Sequence, residues 1–260
     1  MKFSFYVFLF LQLITTYVLA QNSDVQALIE KADQFTNTDF NYNEALNTLI
    51  KAEKMDSTNS EILERISRNL VLIGNNLPEN TPEREEKQEQ YYKNACTYAD
   101  EAIKYAPGES VNYLRRAIAN GKIALFKGVF SVADVVDQVR SDAEKAVQLN
   151  NGTKETIATA HYVLARTHAK ISEKWKPARS VLGLGWADID SALVHYDKAV
   201  KIRPGFMMYY IDYARALIRE DEYEKAREML KKVPDCKIQE SDDKARIKEA
   251  KDLLEEIKDE

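Results

Sequence analysis

Apolar residues recur at three- and four-residue spacing along nearly the whole chain, and period-two alternation is almost absent, so the sequence predicts helices rather than strands. The pattern is clearest towards the C-terminus. Ala192, Tyr196, Ala199 and Pro204 stand at offsets 0, 4, 7 and 12, and 34 residues further on Ala226, Leu230 and Val233 repeat offsets 0, 4 and 7. Between them, Tyr210, Tyr213, Ala214, Leu217 and Tyr223 fall at positions 4, 7, 8, 11 and 17 of a unit starting at Met207. The first template also finds Ala45, Leu49 and Ala52 with Ser57 at the stop, then Ala95, Ala99 and Ala102 with Pro107. Val139, Ala143 and Ala146 with Asn151 are a weaker match.

A repeat of about 34 residues with bulky residues at 4, 11 and 24, small residues at 8 and 20, and a helix stop near 32 is the tetratricopeptide pattern. The small positions let two helices of one unit approach closely, the bulky ones fill the gaps beside them, and the terminal proline ends the second helix. The expected fold is an all-α tetratricopeptide-repeat solenoid of about five helix pairs, at roughly 25–55, 60–106, 110–150, 155–203 and 207–233. A C-terminal capping helix at 240–258, apolar at Ile247, Leu253, Leu254 and Ile257, closes the array.

Two stretches interrupt the period. Asn75–Gln88 is polar, and Thr81-Pro82-Glu83 predicts an N-cap, a first-turn proline and a first-turn acid for the next helix. Ser172–Gly185 lengthens the fourth unit and carries Trp175, with Trp186 just beyond it. An insert in a repeat maps to one face, often the binding face. The competing reading is a lid that packs Trp175 or Trp186 on the neighbouring helix pair.

Residues 1–20 begin with a single Lys2, run apolar to Leu19 and end on Val18-Leu19-Ala20 before a polar segment. This predicts a signal peptide cleaved after Ala20 and an exported, periplasmic or secreted chain with no stable membrane insertion afterwards; an uncleaved anchor is the alternative. Eight glycines and six prolines in 260 residues are few, which fits long helices and few turns. The net charge of −5 excludes a strongly basic nucleic-acid binder, and no nucleic-acid partner is expected. Two cysteines, Cys96 and Cys236, lie about three units apart in this reading and are expected to be free thiols. Asn151-Gly152-Thr153 is the one glycosylation sequon singled out, meaningful only in a host that glycosylates secreted proteins.

Candidate chemistry is sparse. His161, His168 and His195 are the only histidines, and seven residues on one helix separate His161 from His168 by about 10.5 Å, too far for one zinc. With Ala165 at position 8 these two occupy core-filling positions 4 and 11. No phosphate loop, nucleophile elbow, HExxH or CxxC occurs, and neighbouring acids such as Glu85-Glu86 are solvated faces. No enzyme, no metal and no cofactor is expected. Of 14 tyrosines, Tyr98, Tyr113, Tyr196, Tyr210 and Tyr213 fall on or beside packing positions and are expected in the core.

The first helices of such units line a concave groove through positions 2, 5, 9, 12 and 13. Position 9 is Arg68, Arg166 and Arg215 in units two, four and five, and Arg115 stands at position 6 of unit three. Together with Tyr162 and Asp212, these arginines form the candidate partner site, because guanidinium forks grip carboxylates and peptide C-termini. The competing reading pairs them internally with acids such as Asp212 or Glu64.

The repeat pattern, the stretched fourth unit after Ala160-His161-Tyr162-Val163-Leu164-Ala165-Arg166, the Ala192–Pro204 helix followed by Gly205-Phe206, and the Glu240–Asp259 tail together resemble the regulator of microtubule dynamics family, over roughly Val25–Lys258. The resemblance implies an all-α solenoid that binds proteins and transfers no catalytic residues. The export signal departs from eukaryotic members, which work at microtubules or mitochondria, and points to an exported bacterial relative. A looser similarity links the chain to the helical accessory component of periplasmic solute transporters. The function expected is therefore a non-catalytic scaffold that docks a protein or peptide segment, acidic or with a free C-terminal carboxylate, in its concave groove. The alternative is a solute-binding accessory protein holding a small acidic ligand under Ser172–Gly185.

Overall fold

A computed structural model describes residues 22–128 and 130–260; the predicted signal peptide, residues 1–20, lies outside the described residues. Twelve α-helices follow one another without a strand among the described residues. They are α1 (22–37), α2 (Tyr42–Met55), α3 (Ser60–Asn75), α4 (Arg84–Tyr105), α5 (Ser110–Lys127), α6 (Ala133–Leu149), α7 (Lys154–Ser172), α8 (Lys176–Val181), α9 (Ile189–Ile202), α10 (Met207–Arg219), α11 (Tyr223–Lys231) and α12 (Asp243–Glu256). The pairs α3/α4, α5/α6, α7/α9 and α10/α11 are antiparallel hairpins stacked side by side, α1 packs on α2 through Val25, Ile29 and Ala32 against Ala45, Leu49 and Ala52, and α12 packs on α10 and α11.

The small-residue pattern is what makes the stack. Ala45, Ala52, Ala95, Ala99, Ala102, Ala143, Ala146, Ala192, Ala199 and Ala226 are all fully buried, as are Ala117, Ala165 and Ala214 on the facing helices. Helix approach is close enough that Ser67, at position 8 of the second unit, donates its hydroxyl proton to the Ala95 carbonyl at 2.8 Å. Bulky neighbours such as Leu49, Tyr196 and Leu230 fill the flanking gaps. The burial of Ala165 fixes the register of the fourth unit. Tyr196, Tyr210 and Tyr213 are buried, whereas Tyr98 and Tyr113 are only half-buried at the edges of the core.

Several helices start on side-chain caps: Asn41, Asn59, Thr153 and Asp188 accept from the amides of Glu44, Glu61, Thr156 and Ser191. The expected cap at Thr81 does not form. Helix α4 starts at Arg84, after Glu83 in a left-handed conformation with φ 53°. The start of α4 is tied instead to the end of α3, with Arg84 Nε donating to the Leu77 carbonyl at 3.0 Å and Gln88 Nε2 to the Gly74 carbonyl at 2.9 Å.

The insert settles on the third unit. Leu184 and Ala187 are buried with Ala124, Val136 and Ile171, and Trp186 packs against the same cluster. Its indole N–H donates to Asp137 Oδ1 at 2.9 Å, Arg140 lies over its ring at 4.4 Å, and His168 meets it edge-on at 5.1 Å. Trp175 does not pack there and is exposed. Cys96 and Cys236 are both free, and burial pushes the Cys96 thiol up to about 12, so it is not a reactive thiolate.

Ala95→Leu should lower stability by about 1–3 kcal/mol, read as a shifted denaturant midpoint, because the added carbons have no space between α3 and α4. An unchanged midpoint would show that the small residues do not set the helix spacing.

Candidate functional site

Helices α1, α3, α5 and α7, the first of their pairs, face a common concavity of about 960 Å³, to which α10 adds Met208 and, of the second helices, α6 adds Val136 and Val139. The array curls so far that its C-terminal segment reaches the start. Ile238, Gln239, Glu240 and Arg246 line the same cavity as Asp33 and Asn37. Ser241 Oγ donates to Asn76 Oδ1 at 2.6 Å across 165 positions. No residue of the insert lines this cavity, so Ser172–Gly185 is not its lid; a separate, smaller hollow of about 430 Å³ lies against the insert itself, lined by Ser172, Glu173, Lys176, Arg179 and Gly185 with Asp188, Arg219 and Glu220.

The lining is basic in an acidic protein: Arg65, Arg68, Arg115, Lys122, Arg166, Lys170, Arg203 and Arg246 outnumber Asp33, Glu61, Glu64, Glu109, Glu155 and Glu240. Most of these cations are internally paired. Arg115 Nε lies 2.6 Å from Glu64 Oε2, Arg65 bonds Asp33 at 3.0 Å, and Arg203 reaches Glu155 at 3.4 Å. Arg246 holds Glu240 and Asp243, and Lys170 holds Glu173.

Of the six sequence candidates, Arg68, Arg115, Tyr162 and Arg166 line the cavity. Tyr162 and Arg166 form one buried network with Asp212. The Tyr162 hydroxyl donates to Asp212 Oδ2 at 2.7 Å, and Arg166 Nη1 donates back to the phenol oxygen at 3.1 Å. The Tyr162 oxygen and Asp212 hold the Arg166 guanidinium above its ordinary range, and burial holds the Tyr162 proton on. Arg166 Nε is buried and finds no hydrogen-bond partner among the described residues, 3.6 Å from Asp212. Asp212 itself is buried between α7 and α10 rather than at the cavity wall. Arg215 is not at the cavity at all; it pairs with Asp212 at 3.2 Å and with Glu249 of α12. Position 9 of the last unit faces the cap because no further hairpin follows it.

Two cavity cations have no acidic partner among the described residues. Arg68 only donates to Asn37 Oδ1 at 2.9 Å, and burial followed by the Arg115 charge lowers its pKa. Lys122 has no ion pair, and burial, together with the Arg166 charge, brings its pKa down to about 8. Sequence reasoning passed over Lys122, although it stands at position 13 of the third unit, one of the groove-facing positions.

The three histidines meet off the cavity, between α7 and α9. His161 Nδ1 and His195 Nδ1 are 2.9 Å apart, so one donates and the other accepts. His195 also stacks on His168 at 6.1 Å. His168 Nδ1 accepts the Asp188 amide proton at 3.3 Å. Burial lowers all three pKa values, and burial with the His161 charge takes His195 to about 4. Among the described residues no group of three or more His, Cys, Asp or Glu is placed to hold a metal ion, and no helix is long and apolar enough to cross a membrane.

Comparison with protein-family models matches residues 28–258 to "Regulator of microtubule dynamics protein 1-3". Comparison with curated protein sequences finds no match. Among solved structures, pilF of Pseudomonas aeruginosa superposes with a TM-score of 0.54 at 12% identity, covering 92% of this chain and 90% of its own. MamA 41-end from Desulfovibrio magneticus RS-1 gives 0.49 at 16% identity, over 82% and 94% of the two chains. YrrB, a TPR protein with an unusual peptide-binding site, gives 0.42 at 16% identity, over 84% and 89%. At these identities the likeness speaks to the fold alone. The family match spans most of the sequence, and the chain belongs to the regulator of microtubule dynamics family.

The histidine cluster makes the fold acid-sensitive. The unfolded histidines bind protons near pH 6.5 and the folded ones resist, so their contribution is complete above about pH 6.5 and is lost as pH falls through the window down to about 4. His195→Phe should flatten the fall of melting temperature across that window; an unchanged slope would show that the carboxylates alone set it.

Proposed function

We propose that this member of the regulator of microtubule dynamics family is an exported, non-catalytic scaffold that docks an anionic protein or peptide segment in its concave cavity. One observation carries the reading. Arg68 and Lys122 face the cavity without an acidic partner, whereas the six other basic residues of the wall each have one. A carboxylate is the simplest group to satisfy them: it would relieve the unpaired charge on Lys122 and accept charge-assisted hydrogen bonds from a guanidinium fork. A C-terminal carboxylate, an Asp or a Glu of the docked segment supplies the same chemistry. Export rests on residues 1–20, whose charged start, apolar run and small residues before Gln21 have the form of a signal peptide.

The paired arginines have a different part. Arg115 and Arg166 shape the wall through Glu64 and Asp212, and reversing either sets a second negative charge against a buried acid. Reversal there would confuse folding with binding. Arg68 and Lys122 are free of that difficulty.

The test uses short fluorescent peptides with acidic tails, made once with a free C-terminal carboxylate and once as the amide, titrated by anisotropy. Arg68→Glu with Lys122→Glu should weaken the acidic peptides at least tenfold, while Arg215→Glu leaves binding intact and costs only stability through Glu249. Retained affinity in the double reversal would overturn the reading. Lys122 adds a pH signature. Facing Arg166 on α7, Arg246 on α12, and the acids Glu240 and Asp212, it loses its proton near pH 8, so binding should weaken as pH rises from 7 to 9. Lys122→Arg should remove that dependence. Because the lowered pKa means that the charged form destabilises the fold, Lys122→Met should raise the melting temperature at pH 7 while reducing affinity.

A further inference from the structure

The insert of the fourth unit presents a surface of a different kind. The chain leaves α7 as Lys174-Trp175-Lys176-Pro177, all four exposed, with the Trp175 indole 73% accessible. After α8 comes Val181, 86% accessible, followed by the exposed Leu182. The backbone here is not loose. Arg179 is buried and donates to the Ala187 carbonyl at 2.5 Å, Leu182 N–H bonds the Ala178 carbonyl at 3.3 Å, and Leu184 is fully buried. The apolar side chains thus point outward from an anchored frame. The end of α5, the connection after it and the start of α6 share that frame through Ala124, Val132 and Val136, and they expose Phe126 and Phe130.

Charge selects the partner. The segments 124–133 and 172–187 carry Lys127, Lys174, Lys176 and Arg179 against a single acid, Glu173, in a protein of net charge −5. Lys127 is committed to Glu89 and Glu173 to Lys170; Asp188, just beyond, caps α9. Lys174 and Lys176 have no acidic partner among the described residues and flank the indole on both sides. An indole with aliphatic and phenyl neighbours, bracketed by free lysines, has the make-up of a membrane-interface contact: the ring seats at the headgroup level while the ammonium groups meet anionic headgroups.

We propose that this edge, centred on Trp175 and flanked by Lys174 and Lys176, with Val181, Leu182, Phe126 and Phe130, docks the protein reversibly on the surface of a membrane containing anionic lipid. The contact is peripheral, and none of residues 172–187, Phe126 or Phe130 lines the cavity.

Fluorescence isolates the contact, because Trp175 and Trp186 are the only tryptophans. In a full-length Trp186→Phe background, Trp175 emission should shift to the blue with vesicles containing about 30% anionic lipid and stay put with neutral vesicles. Each lysine near a charged surface is worth about fivefold in partition, so Lys174→Glu with Lys176→Glu should reduce vesicle binding at least twenty- to thirtyfold. The apolar residues 1–20 are common to every sample, so variants are compared with one another rather than with zero. Trp186 emission in a Trp175→Phe protein and the melting temperature report whether the fold is intact. No blue shift, an equal shift on neutral vesicles, or a shift that appears without lipid as protein concentration rises would each overturn the proposal; the last would assign the edge to a second copy of the chain.

Discussion

The close approach of helices at alanine and serine positions is the constraint on which the rest of this molecule depends. A helix pair with a large side chain at position 8 or 20 cannot let a backbone carbonyl come within reach of a serine hydroxyl, as Ser67 and Ala95 do. The shortened spacing also sets how each hairpin leans on the next. Summed over five hairpins, that lean bends the array until its C-terminal segment lies opposite its first helices and a row of stacked elements becomes an enclosure. The cavity is thus a property of the repeat geometry, while its chemistry comes from a few groove-facing side chains.

Those side chains fall into two electrostatic groups. Arg115 with Glu64, and Arg166 with Tyr162 and Asp212, are internally satisfied; each partner holds the other in place, and little charge is left over for a visitor. Arg68 and Lys122 form no ion pair among the described residues, and burial followed by a neighbouring guanidinium lowers both pKa values although acids stand nearby. A fold that keeps such groups carries an energetic cost, and functional surfaces are where such costs are found.

Much of this was legible in the sequence. The alanine offsets announced the all-α repeat fold and fall on buried positions, and the competing reading that arginines pair with Asp212 or Glu64 describes Arg115, Arg166 and Arg215 well. What failed did so for physical reasons. Arg215 has the same repeat position as Arg68, yet the cap helix occupies the place of a following hairpin and brings Glu249 to it. The histidine contact could not be read, because His195 arrives from α9 across an insert that breaks the period. Trp175 and Trp186 look alike in sequence, and only the position of the Asp137 carboxylate and the Arg140 guanidinium distinguishes the buried one. Lys122 was within reach of the position rule; its want of an acid partner was not.

The hydrogen bond from Ser241 to Asn76 joins the C-terminal segment to the end of α3 in the second hairpin, a neutral contact at an exposed site. A link of this kind is worth about 1 kcal/mol, only a little more than thermal energy. Losing it would free the C-terminal segment from α3 while leaving the packing inside each hairpin untouched, so the wall of the enclosure is weakest where that segment meets α3.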